Sequence, residues 1–376
     1  MKIAVNTRLL LPGKLEGIGW FTYESLKRIT RNHPEHQFYF IFDRPFSDEF
    51  IFSDNVTPVV ASPPARHPVL WYIYFEYGVP SVLKKIKPDL FLSPDGWIPL
   101  HSGIKTVNVI HDLNFEHHPE FIKPSVMAYY KHFFHRFAQS SQRIATVSEF
   151  TKTDIHQLYR VSPEIIDVVY NGANDLFKPC SEERKKEIRS QYAENNPYFL
   201  FVGLIHKRKN LDNIFRAFDH FKSTDNTGTK LVVVGEKKWW KGDIEESFRN
   251  MKYQNDVIFL GRKPVEELAL LMAAATGLVY PSLFEGFGIP ILEAFKAETA
   301  VITSTITSMP EIAGEAALLV DPYQPEEISR AMSSLINHPE LRKDLINKGV
   351  SQGKKYSWDR TAEALWNTIE HVLFNR

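Results

Sequence analysis

The chain has 376 residues, 43% hydrophobic and 24% charged, with 45 basic residues balanced by 45 acidic ones. That length suits two cores better than one, and zero net charge argues against nucleic acid as a partner. The single cysteine, Cys180, excludes an internal disulfide and fits a reducing compartment, and it reads as a linker residue without chemistry.

The run Met1-Lys2-Ile3-Ala4-Val5-Asn6 is too short for a signal peptide and reads as a first buried strand. No stretch approaches the roughly 20 apolar residues of a membrane-spanning helix. A cytoplasmic protein is expected, with peripheral contact at the inner face of the membrane left open by the high aromatic content. After the first strand, Gly17-Ile18-Gly19 opens a helix reaching about residue 30. Paired glycines there let backbone approach a phosphate or sugar. The third glycine of a dinucleotide fingerprint is missing, since Thr22 occupies its place, which disfavours a nicotinamide enzyme.

Further strands are expected at 37–42, 90–93, 106–110, 144–148 and 166–170. Two aromatic segments, 71–75 and 129–137, read as helices packed into the core with snorkelling basic residues. An acceptor-facing or membrane-facing surface is their alternative reading. His111-Asp112 ends the strand at 106–110, where ligands of parallel sheets bind. His117 and His118 lack a carboxylate at metal-ligand spacing and read as loop residues. Asn171-Gly172 makes a turn, and the charged stretch 178–196 is expected to be the linker.

The second half alternates apolar strands with helices: strands at 198–202, 231–234, 257–260, 278–280, 300–303 and 317–320, helices at 210–222, 264–275, 290–297 and 325–337. Continuous apolar strands between helices imply a parallel sheet covered on both faces. The expected architecture is α/β, with two doubly wound Rossmann-like domains facing each other across a cleft. Their bounds are 1–180 and 181–356, and a closing helix over 357–376 is expected to cross back to the first domain.

Two motifs in the second half carry chemistry. Gly203 to Leu211 places His206, Lys207, Arg208 and Lys209 at a strand-to-helix turn, where they can neutralise a diphosphate. Tyr280 to Ala294 holds Glu285 and Glu293 around Gly286, Phe287, Gly288, Ile289 and Pro290. Bare backbone N–H groups at a helix start suit an anion, and the two acids can hold hydroxyls of a polyol attached to it. No Asp-x-Asp and no cysteine–histidine cluster supports a metal-bridged diphosphate, and no Gly-x-Ser-x-Gly elbow supports a hydrolase.

Together these segments resemble the retaining glycosyltransferases of family 4, with the GT-B fold. The resemblance rests on Gly17-Ile18-Gly19, His111-Asp112-Leu113, Val147-Ser148-Glu149, Asn171-Gly172, Arg208-Lys209-Asn210-Leu211, Phe259-Leu260-Gly261, the Pro281–Glu293 block and Pro310-Glu311-Ile312-Ala313-Gly314. It implies transfer of a hexose from a nucleotide-diphosphate sugar, such as GDP-mannose or a UDP-hexose, to a hydroxyl of a glycan or lipid-linked acceptor, without a metal or other cofactor. It assigns Glu285 to the donor sugar and Glu293 to the ribose. It gives the diphosphate to Lys209, Arg208 and the backbone at Phe287 and Gly288, and counts Gly203 and Ile289 among the donor-binding positions. The base falls near Arg262, Gly19 lies close to the donor, and His111 approaches the transferred sugar. Two positions depart from the family: Leu204 stands where an arginine often follows the glycine, and Glu298 stands where a glycine often precedes the next strand. Epimerases and phosphorylases that share the fold, and a non-catalytic nucleotide-sugar-binding subunit, are the competing readings.

Overall fold

The computed structural model describes residues 1–237 and 240–374. They form two compact units, Met1–Gly172 with Ser357–Arg376, and Ala173–Tyr356.

The first unit holds seven strands: β1 (Lys2–Asn6), β2 (Gln37–Phe42), β3 (Val56–Val60), β4 (Leu90–Ser93), β5 (Thr106–Ile110), β6 (Arg143–Thr146) and β7 (Ile166–Val168). All pair in parallel, in the order β3-β2-β1-β4-β5-β6-β7. Chain order reverses direction between β1 and β4, so the loops leaving these two neighbours diverge and open a crevice at their carboxyl ends. β4 and β5 are buried along their whole length, as expected of strands covered on both faces. β3 was not expected from sequence. It carries Pro58, which an edge strand tolerates.

β6 stops before the expected 148, because Ser148 leaves the strand to cap the helix Glu149–Tyr159, accepting from the Thr151 N–H. The helix Trp358–Phe374 packs on Gly17–Asn32 and on the sheet. Thr361 donates to the Tyr170 carbonyl at 2.6 Å, and Arg28 pairs with Asp359 at 2.5 Å.

The second unit has six parallel strands: β8 (Tyr198–Val202), β9 (Lys230–Val234), β10 (Val257–Gly261), β11 (Gly277–Tyr280), β12 (Ala300–Ser304) and β13 (Ala317–Val320). Their order is β10-β9-β8-β11-β12-β13, so the reversal lies between β8 and β11. The stretch read as a linker is mostly helix, Glu182–Ala193, started by Ser181, which accepts from the Arg184 N–H. At the unusual position 298, the turn into β12 forms with Glu298 itself in the left-handed region (φ 55°). Among the described residues, no helix is long and apolar enough to cross a membrane.

Candidate active site

The two sequence motifs of the second unit meet at the β8/β11 crevice. Gly203 leaves β8 at φ 148° and donates to the Val234 carbonyl at 3.0 Å. A Cβ on neighbouring Gly235 would stand 1.8 Å from the Gly203 oxygen, so only glycine lets these loops approach. The basic run then makes one tight turn, Lys207–Lys209, and its four side chains separate. His206 accepts from the Arg208 N–H at its Nδ1. Lys207 leaves the site for Asp212 (2.9 Å) and Asp243 (2.6 Å). Arg208 and Lys209 reach Glu285, at 2.8 and 2.5 Å.

Glu285 is 7% exposed, and Tyr280 also donates to it, at 3.0 Å. Burial by itself would raise its carboxyl, but Arg208, Lys209 and the hydrogen bonds outweigh that and bring it to about 2. Tyr280 is pushed well above the usual phenol range by burial and by the Glu285 charge, so it stays a donor. The surrounding backbone is pinned. Leu283 N–H donates to the Arg208 carbonyl at 2.8 Å, Arg208 Nη1 donates to the Phe284 carbonyl, and Ser308 donates to the Glu285 carbonyl. Asn210, at φ 62°, ties the turn to the Pro281 and Pro322 carbonyls.

Past Glu285 the chain turns through Gly288 at φ 95° into the helix Ile289–Lys296, with Pro290 in its first turn. Phe287 is buried and its ring meets Tyr356 edge-on at 5.8 Å. Glu293 lies in the same helix, and no charged partner or hydrogen bond holds its side chain among the described residues. Burial raises its carboxyl to about 8. Arg262 follows β10, half exposed, 4.0 Å from Glu236, which lies two residues beyond β9.

The remaining candidates lie in the first unit. Gly19 sits in the first turns of its helix, where a Cβ would come within 3.2 Å of Leu15 and of the Leu9 carbonyl, while Gly17 has open space. His111 Nε2 donates to the Pro94 carbonyl at 2.8 Å, which leaves Nδ1 as the acceptor of a neutral ring. Burial lowers its pKa and keeps it neutral. Phe21 packs on it edge-on at 4.9 Å. His117 bonds to Asp154 at 2.8 Å. Of the aromatic segments, Tyr74, Phe75, Phe134 and Phe137 are core, whereas Tyr72 and Ile73 are exposed.

Sequence reasoning passed over Tyr280, read only as the end of an apolar strand, and Ser308, which lies beyond the motif. A polar side chain ending a buried parallel strand was the available signal for the first. Among the described residues, no group of three or more His, Cys, Asp or Glu side chains is placed to hold a metal ion.

A basic pair and a carboxylate at the crevice of a doubly wound sheet, beside a glycine-led helix start, make a place for a ligand joining an anion to hydroxyls. The comparisons agree with that class. The model for glycosyl transferases group 1 matches residues 183–352, and that for Glycosyltransferase Family 4 matches residues 16–175. O-antigen chain mannosyltransferase B of Escherichia coli is 26% identical over 92% of this chain and 93% of its own. The Salmonella typhimurium O-antigen chain mannosyltransferase RfbU is 26% identical over 84% and 83%. Among solved structures, the sucrose-phosphate synthase of Thermosynechococcus elongatus superposes with a TM-score of 0.80 over the full length of both chains, at 16% identity. Anabaena HepE, solved with UDP and glucose, gives 0.77 over 98% of this chain and 99% of its own, also at 16% identity. The two units have the GT-B fold, and the chain belongs to the family 4, group 1 glycosyltransferases.

Proposed function

We propose that this glycosyltransferase moves a hexose of the mannose or glucose type from a nucleotide-diphosphate sugar to a hydroxyl of a glycan or lipid-linked acceptor, with retained configuration. The relatives that make O-antigen chains support a role in surface-glycan synthesis. The observation that carries the reading is the grip of Arg208 and Lys209 on Glu285 at the β8/β11 crevice.

In the free protein Glu285 holds the two cations in place and shares their charge. The incoming diphosphate competes with Glu285 for these two cations, with backbone N–H groups at Gly288 completing its cradle. Glu285, ionised across the physiological range, then accepts from hydroxyls of the transferred sugar. Glu293 accepts from the ribose, and Arg262 lies towards the base. His111 of the first unit, neutral and fixed by the Pro94 carbonyl, keeps Nδ1 as an acceptor for a sugar hydroxyl.

As the C1–O bond to the leaving phosphate lengthens, negative charge grows on the diphosphate, and Arg208 and Lys209 stabilise it without a metal. Because two cations already occupy Glu285, it is a poor nucleophile. The reading is therefore attack from the leaving-group face: the acceptor oxygen bonds to C1 while a leaving phosphate oxygen takes its proton. NMR of the first-formed product tests this. An axial donor linkage should give an axial product linkage, and an inverted product, or a glycosyl group trapped on a side chain, would overturn the mechanism. Turnover of donor without any acceptor product would point instead to an epimerase.

A further inference from the structure

Tyr280 is the last residue of β11 and is 1% exposed. A phenol buried that far is destabilising unless its O–H and its lone pairs find partners. Here the partners belong to the β8/β11 crevice. Lys209 Nζ donates to Tyr280 Oη at 2.6 Å, and Tyr280 Oη donates to Glu285 Oε1 at 3.0 Å. Lys209 Nζ also donates to Glu285 Oε1, at 2.5 Å, which closes a ring of three hydrogen bonds. Arg208 stands outside that ring, since its Nη1 donates to the other carboxylate oxygen, Oε2, at 2.8 Å. Oε1 thus receives one charged donor and one neutral donor that also touch each other.

The two donors differ in freedom. Lys209 carries its ammonium on a flexible four-carbon stem. Tyr280 hangs from a strand whose register with β12 sets it opposite Thr303, and Thr303 Oγ1 donates to the Tyr280 carbonyl at 3.0 Å. A diphosphate at this crevice competes with Glu285 for Lys209. A buried carboxylate that loses a cation with nothing in its place is driven to take a proton or to move. We propose that Tyr280 is a positioning residue for this exchange: as Lys209 turns to the diphosphate, the Tyr280 O–H stays as the donor to Glu285 Oε1. The carboxylate then remains ionised and in place for the sugar hydroxyls, while the Tyr280 lone pairs keep the ammonium within reach of both acceptors. This role rests on the donor reading of the β8/β11 crevice and adds the group that lets Lys209 change partners. A phenol that merely filled the strand end would act the same with or without Lys209.

The test is a double-mutant cycle on the full chain, with GDP and UDP as probes and affinity read by isothermal titration. At least one nucleotide should bind the unsubstituted protein, and Lys209→Ala should weaken it roughly tenfold or more. Tyr280→Phe, shown by circular dichroism to be folded, should weaken the same nucleotide roughly fivefold. In the Lys209→Ala background, Tyr280→Phe should weaken it by less than about a further twofold, because no lysine remains to be exchanged. Unchanged affinity in Tyr280→Phe, or the same loss with and without Lys209, would overturn the role and leave the donor site standing. No nucleotide binding by the unsubstituted protein, or full binding by Lys209→Ala, would sink the donor reading and this role with it. Should Tyr280→Phe fail to fold, a crystal structure of the unsubstituted chain with the bound nucleotide decides. Lys209 Nζ should then lie on a phosphate oxygen, with Tyr280 Oη still within about 3.2 Å of Glu285 Oε1. A Lys209 still held by Glu285, or a Tyr280 hydroxyl turned away from it, would overturn the role.

Discussion

Glu285 and Glu293 lie eight residues apart on one turn and helix, and their surroundings drive their carboxyls in opposite directions. Glu285, brought to about 2 by Arg208 and Lys209 despite its burial, stabilises the fold above its ordinary value of 4.5. That contribution, roughly 3 kcal/mol, is lost as pH falls from 4.5 through about 2. Glu293, raised to about 8 by burial, binds a proton more readily folded than unfolded. Its sign is the reverse: the fold is favoured at low pH and loses stability as pH rises from 4.5 through about 8. Its side chain keeps some solvent contact, so the loss is of the order of 1–3 kcal/mol. Glu293→Gln should then leave stability nearly unchanged at pH 4.5 and raise it at pH 8.5, as read by denaturant unfolding at the two values. An equal effect at both would show that Glu293 is already ionised in the fold. Among the described residues Glu293 has no partner, in contrast to Glu285, which holds two cations and a phenol.

At the scale of elements, Glu298 is the informative case. A side chain in the left-handed region costs about 1 kcal/mol, partly offset because glycine loses more entropy on folding. Glu298→Gly should therefore stabilise the second unit by up to about 1 kcal/mol, measured as a shift in its thermal unfolding. A destabilisation would mean that the glutamate side chain contributes something its position does not reveal. Most strands could be read from composition because they are buried on both faces and run as unbroken apolar segments. β3 escaped because Pro58 interrupts such a run, and the helix Glu182–Ala193 escaped because it buries little more than Ile188 and Ala193. The donor-side motif was legible since Glu285, Gly288 and Glu293 are close in sequence. Arg8 and Asp95 were not, because 87 residues separate them and only the β1–β4 pairing brings them together. The four-residue basic run illustrates the remaining limit. Its composition announced a charge cluster, but only the tight turn decides that Lys207 leaves while Arg208 and Lys209 stay.

Over the whole molecule, the same topological reversal occurs in each unit and is furnished differently. The β8/β11 crevice carries two cations and a glycine-led helix start, chemistry for an anion. The β1/β4 crevice carries an arginine paired with Asp95 beside aromatic rings. The β8/β11 crevice decides the function, and a thermal-shift panel of nucleotide sugars against the unsubstituted chain, Lys209→Ala and Glu293→Ala probes it. One sugar nucleotide should stabilise the unsubstituted protein strongly, with at least tenfold weaker binding in Lys209→Ala and a clear loss in Glu293→Ala. If both folded variants bound that best nucleotide sugar as tightly as the unsubstituted chain, the donor site would lie elsewhere.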